Sequence, residues 1–149
     1  MTEPVLSCRS LTKTYTTGAG VVNAVSEIDL EMRKGEFIAI TGPSGGGKTT
    51  LLSMLGGLEK PSSGEMFVEG EAVSKRFRDL SDYRREQVGF VFQAYNLVPH
   101  LTAMENVLLP MELAGLKRSE RRPRGVELLT SVGIPAERYG HKPTRLSGG

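Results

Sequence analysis

Gly42-Pro43-Ser44-Gly45-Gly46-Gly47-Lys48-Thr49-Thr50 is the stretch on which the reading of this chain turns. It fits G-x-x-x-x-G-K-[ST], a loop that cradles phosphate. Before it runs Glu36-Phe37-Ile38-Ala39-Ile40-Thr41, a short apolar run that reads as a buried strand. After it, Thr49-Thr50-Leu51-Leu52-Ser53-Met54-Leu55 reads as a helix start, and Gly56-Gly57 as its C-terminal stop. Strand, glycine loop and helix form the setting the motif requires. Glycines let such a loop turn with positive φ and bring backbone N–H groups against an anion. The helix N-terminus adds further donors and the positive end of its dipole. In this pattern Lys48 reaches the β- and γ-phosphates and the Thr49 hydroxyl holds Mg²⁺.

The rest of the composition narrows the class. The chain has 149 residues, 38% hydrophobic and 24% charged, which suits one globular domain rather than a disordered segment. Nineteen basic residues against 17 acidic ones leave a net charge of +2, which argues neither for nor against nucleic acid. The single cysteine, Cys8, rules out an internal disulfide and reads as a small buried strand residue. Met1-Thr2-Glu3-Pro4 has neither the basic nor the apolar region of a secretory signal. No apolar run approaches the ~18 residues of a membrane helix, so any membrane connection is expected through a partner.

Along the chain, Val5 to Leu11 reads as a first strand ending near Thr14-Tyr15, followed by a turn over 16–20. Val21 to Val25 reads as a second short strand. Glu27-Ile28-Asp29-Leu30-Glu31-Met32 alternates as a half-buried third one, turned by Arg33-Lys34-Gly35 into an antiparallel hairpin with residues 36–41. Glu65 to Val68 and Ala72-Val73 bracket a turn at Glu69-Gly70. Ser81 caps a short helix to Glu86. Val88-Gly89-Phe90-Val91-Phe92 reads as a buried strand, with Gln93 directly after it. Thr102-Ala103-Met104-Glu105 is a capping box opening a helix to about Ala114, which Pro110 bends. A further helix is expected to begin near Pro123, with Lys117 to Arg124 as a solvated basic face.

Three features line up with the phosphate loop: Tyr15 at a strand end, Gln93 after an apolar strand, and Leu146-Ser147-Gly148-Gly149. In that order they resemble the ATP-binding cassette (ABC) transporter ATPases over essentially the whole chain. The likeness is strongest to the subclass serving macrolide-exporter and lipoprotein-release permeases. It runs through Phe90-Val91-Phe92-Gln93, Asn96-Leu97-Val98-Pro99 and Leu101-Thr102-Ala103-Met104-Glu105-Asn106-Val107. The resemblance implies that Tyr15 stacks on adenine, and that Gln93 meets Mg²⁺ and the attacking water while its loop touches the membrane partner. It implies that Ser147, Gly148 and Gly149 begin the signature that closes over the γ-phosphate held by a second subunit.

The same resemblance implies an α/β fold: a P-loop core sheet with an antiparallel β portion and an inserted helical subdomain, incomplete at the C-terminus. Residues 1–100 are the expected nucleotide-binding core, 101–142 the helical subdomain and 143–149 the start of the signature. The implied cofactors are ATP and Mg²⁺. The implied partners are a membrane permease and a second ATP-binding subunit in a head-to-tail dimer, with no nucleic acid, at the cytoplasmic face of the membrane. A non-transport ABC ATPase, in cell division, translation or DNA repair, is the alternative. Neither Asp-Glu nor Glu-Glu occurs in these residues. The family's Walker B aspartate and catalytic glutamate are therefore not among them, and binding without turnover is expected. His100 and His141 both precede the signature and read as a loop residue and a solvated residue.

Overall fold

The computed structural model describes residues 3–18 and 20–147. They fall into two compact units that divide after Phe90, ten residues before the boundary expected from the sequence.

The first unit is built on a four-stranded antiparallel sheet. Its strands are β1 (Leu6–Thr17), β2 (Gly20–Met32), β3 (Ser63–Val68) and β4 (Glu71–Ala72), in the order β2-β1-β3-β4. Three helices accompany it: α1 (Lys48–Leu55), α2 (Val73–Arg76) and α3 (Leu80–Gln87). Cys8 stands opposite Leu30 on one side and Met66 on the other, which puts β1 at the centre.

Strict alternation cannot bury both Cys8 and Leu11, which are an odd number of residues apart. The chain solves this with bulges. Ser10 and Glu27 take positive φ (47° and 48°), and the β1–β2 register slips between Cys8 and Leu11. Side chains cover the disturbed backbone: Ser10 N–H donates to Asp29 Oδ1 at 2.6 Å, and Glu27 N–H to Thr12 Oγ1 at 3.0 Å. The second bulge is why Val21 to Val25 and Glu27 to Met32 are one strand and not two. β3 comes close to the same place. Gly64 has φ 81°, and a Cβ there would lie 2.3 Å from the Ser10 carbonyl oxygen.

Leu11, Met54 and Tyr83 are the largest fully buried side chains, in a core shared with Cys8, Val25, Met66, Val68 and Phe77. Cys8 is buried as expected, its thiol donating to the Ile28 carbonyl at 3.4 Å, and burial raises its pKa. Two expected strands are absent. Residues 36–41 and 88–92 belong to no ladder, and β2 pairs with β1 rather than forming a hairpin with residues 36–41. Ile40 and Val88 nevertheless pack against the core, while Phe37 is 92% exposed.

The second unit pairs α4 (Ala103–Leu113) with α5 (Arg118–Ser131), followed by two short 3₁₀ turns, Ala136–Arg138 and Pro143–Arg145. Leu129, Ala103 and Met104 are its buried side chains, and Gly125 lets α5 approach Met104 and Leu108 of α4. The capping box forms as read: Glu105 N–H donates to Thr102 Oγ1 at 3.2 Å, and Thr102 N–H to Glu105 Oε2 at 2.7 Å. Three details differ from the reading. α3 is capped by Asp79, not Ser81, because the Asp79 carboxylate accepts from both Ser81 and Asp82 N–H. α5 begins at Arg118 and carries Pro123 inside it. Its first turn is tied down by Arg121, which donates to the Leu116 carbonyl at 2.7 Å and pairs with Glu112 at 2.9 Å. His141 is half-buried rather than solvated; its Nδ1 is shielded from solvent and has no hydrogen-bond partner.

Candidate nucleotide site

In the first unit, the loop from Gly42 to Gly47 leads directly into α1, whose first residue is Lys48. Gly42, Gly45 and Gly47 all have positive φ (152°, 78° and 75°). Gly47 is the helix N-cap, and it can be nothing else. A Cβ at this position would stand 2.0 Å from the Ala24 carbonyl oxygen of β2. A glycine N-cap brings no side chain to accept the first N–H groups of α1, and the first turn contains no acidic residue. The positive end of this helix is therefore left unopposed by its own turn.

Lys48 curls back over the loop that precedes it. Its Nζ donates to the carbonyls of Gly42 at 2.9 Å and Pro43 at 2.6 Å, and Gly46 N–H closes a turn onto Pro43 at 3.1 Å. The ammonium is thus held above the glycine cradle. Pro43, Ser44 and Thr49 are exposed; Thr50 is half-buried. Three features suit a bound polyphosphate: a cation over the loop, unopposed helix N–H groups, and a backbone without side chains in the way. No cluster of three acidic, histidine or cysteine side chains exists among the described residues.

Tyr15 lies near the end of β1 and is half-buried. Its hydroxyl donates to the Glu59 carboxylate, 2.7 Å from each oxygen. This contact raises the phenol pKa and lowers that of Glu59, in both cases as the largest cause. The nearby Thr50 hydroxyl acts the other way on Tyr15. Lys13 Nζ lies 3.1 Å from Glu59 Oε1 and 5.2 Å from the Tyr15 ring centre. Tyr15 is tied through Glu59 to the helix that follows the phosphate loop, since Glu59 N–H donates to the Ser53 carbonyl of α1 at 3.1 Å. Glu59 and Lys13 belong to no motif, and no sequence signal marks either.

In the second unit, Gln93 sits exposed in a turn immediately after residues 88–92, and Tyr95 and Asn96 follow with positive φ (54° and 50°). Asn106 in α4 ties down the segment that follows. Its amide nitrogen donates to the carbonyls of Val98, Leu101 and Thr102, and its oxygen accepts from Val98 N–H at 2.8 Å. Ser147 is the last described residue; Gly148 and Gly149 lie outside the described residues.

The family model described as ABC transporter matches residues 25–149. The chain belongs to the ABC transporter family. An ABC transporter ATP-binding protein of Thermotoga maritima is 46% identical over 148 residues, 99% of this chain and 63% of that protein. The lipoprotein-releasing system ATP-binding protein LolD of Idiomarina loihiensis is 40% identical over all of this chain and 65% of its own length. The macrolide export ATP-binding/permease protein MacB of Agrobacterium fabrum is 43% identical, and this chain spans 23% of it. Among solved structures, the post-hydrolysis dimer of the ATP-binding cassette MJ0796 bound to ADP and Pi matches with a TM-score of 0.82. It is 39% identical, over 96% of this chain and 63% of that one. The mixed α/β cassette fold is therefore shared, and the chain spans less than two thirds of the length of these relatives. No helix among the described residues is long and apolar enough to cross a membrane.

Proposed function

We propose that this chain is the ATP-binding part of a transporter of the lipoprotein-release or macrolide-export type, binding Mg-ATP at Gly42–Thr50. The Lys48 ammonium held over the loop by the Gly42 and Pro43 carbonyls is the observation that carries the reading. Phosphate oxygens arriving at the loop would take over this ammonium and meet the N–H groups at the start of α1. Thr49 would supply a hydroxyl to Mg²⁺, and Tyr15 a flat face for adenine. Gln93 offers an amide oxygen for the metal and an amide N–H for the attacking water, without adding charge. Ser147, Gly148 and Gly149 would close over the γ-phosphate of a second subunit. The permease and that second subunit are the proposed partners, at the cytoplasmic face of the membrane.

Hydrolysis in this family type is phosphoryl transfer to water, which rests on positioning and charge stabilisation. These residues include no adjacent acidic pair to orient the water. A missing general base costs ~10²–10⁴-fold, so the 149-residue chain is expected to bind ATP without appreciable turnover. Lys48→Ala tests the site directly. Affinity for a fluorescent ATP analogue should fall by about 100-fold or more, with the circular dichroism spectrum unchanged. Equal affinity of variant and parent would overturn the proposal.

A further inference from the structure

We infer that Glu59 is a positioning residue for the base end of the site: its carboxylate fixes the Tyr15 ring in the plane on which the nucleotide base stacks. The inference rests on the reading of Tyr15 as the base platform and extends it to residues outside every motif.

A tyrosine on a strand has two soft torsions, and stacking demands one orientation of its ring. Packing supplies only part of the constraint here, since Tyr15 is half-buried near the turn of the β1–β2 hairpin. The hydroxyl supplies the rest. It points between the two Glu59 oxygens, each 2.7 Å away, so the ring is held at its far end as well as at its Cβ. Glu59 is itself anchored. Its N–H and that of Leu58 both donate to the Ser53 carbonyl of α1, at 3.1 and 2.8 Å. Lys13 secures it from the other side, bridging the carboxylate and the Lys60 carbonyl at 3.1 and 2.8 Å. Lys13 Nζ also lies 5.2 Å from the centre of the ring, so the same ammonium steadies both the carboxylate and the aromatic face beside it.

These contacts join the two ends of a nucleotide through a single helix. The N-terminus of α1 carries Lys48 and the phosphate loop; its C-terminal turn carries, through Ser53, the carboxylate that holds Tyr15. Glu59 thereby fixes the ring relative to the phosphate cradle. A phenylalanine would keep the stacking face and lose this hold, so a tyrosine at position 15 has a reason beyond aromaticity.

The test is a double-mutant cycle on Glu59→Ala and Tyr15→Phe, read by the affinity of the purified protein for a fluorescent ATP analogue and by competition with inorganic tripolyphosphate. Each single variant should weaken nucleotide binding about ten-fold, the value of one hydrogen bond to a charged group, and leave tripolyphosphate binding unchanged. The double variant should be no weaker than either single one. Glu59→Gln, which keeps an acceptor for the phenol, should restore most of the affinity. Unchanged nucleotide binding in Tyr15→Phe, additive losses in the double variant, or an equal loss for tripolyphosphate would each overturn the inference. Lys48→Ala separates the two readings. If it spares both ligands, the phosphate site itself is wrong. If it abolishes both while Glu59→Ala changes nothing, only the role of Glu59 fails.

Discussion

Residues 27–32 and residues 36–41 carry nearly the same pattern and come to different ends. Each alternates, and each turns aliphatic side chains inward: Ile28 and Leu30 in the first run, Ile38 and Ile40 in the second. The first becomes part of β2, laddered antiparallel against β1. The second joins no ladder, and Phe37 stands in solvent. Alternation reports which face a run buries. It says nothing of whether a neighbour is there to take its N–H and C=O groups. Residues 27–32 find their antiparallel neighbour in the other arm of the same hairpin, whereas a parallel neighbour must come across a long crossover.

Hydrogen exchange attacks this contrast directly and should show the largest effect. In the 149-residue chain, amides of Cys8 and Leu11 should exchange about 10³-fold or more slower than those of Phe37 to Ala39, since only the former must wait for the sheet to open. Comparable protection in both runs would mean that residues 36–41 are paired after all. Truncation of side chains sharpens the same point. Leu11→Ala, at 0% exposure, should cost about 3 kcal/mol in urea unfolding. Phe37→Ala should stay within about 0.5 kcal/mol, although both are large apolar residues in strand-like runs. Equal losses would break the distinction.

Tyr83 probes the packing beneath the unpaired run. It is buried at 2% exposure, donates to the Leu55 carbonyl at 2.7 Å, and has its pKa pushed up to about 12 by burial. A pKa raised in the folded state means stability that is complete below the unfolded value near 10 and is lost as pH rises from there to about 12. Over that window the parent should lose at most about 3 kcal/mol more than Tyr83→Phe, which cannot ionise. Parallel stability curves for the two would show the phenol to be solvated. The smallest effect belongs to a wholly local feature. Thr102→Ala should cost about 1 kcal/mol by removing the N-cap of α4. It should leave exchange in the sheet untouched, and slowed or hastened exchange in β1 would show that the two units do not unfold independently.

Signals confined to one turn of chain were legible in the sequence. Thr102 with Glu105, the glycine stop after α1 and the Gly42–Thr50 loop each carry their own geometry, and each formed as read. The α3 cap was misplaced by two residues because Asp79 and Ser81 are both good caps, and only the structure shows which oxygen meets the N–H groups. Pro123 misled in the other direction. It costs α5 one backbone bond, and Arg121 with Glu112 and Leu116 anchors the turn ahead of it. The bulges at Ser10 and Glu27 were invisible because they answer to burial in three dimensions. At the candidate site, the phosphate loop and Tyr15 stood out by motif and family likeness. Glu59 did not, since a carboxylate 44 residues away in sequence declares its partner only once the chain is folded.

Gly47 and Gly64 have one more consequence, for inheritance. Any single-base change in a glycine codon that yields another amino acid adds a Cβ, and at both positions that carbon would meet a backbone carbonyl oxygen, of Ala24 or of Ser10, which no rotamer can move aside. These two sites therefore have no tolerated neighbours one mutation away. Each such change would force the backbone of β2 or β1 to move before the chain could fold as it does.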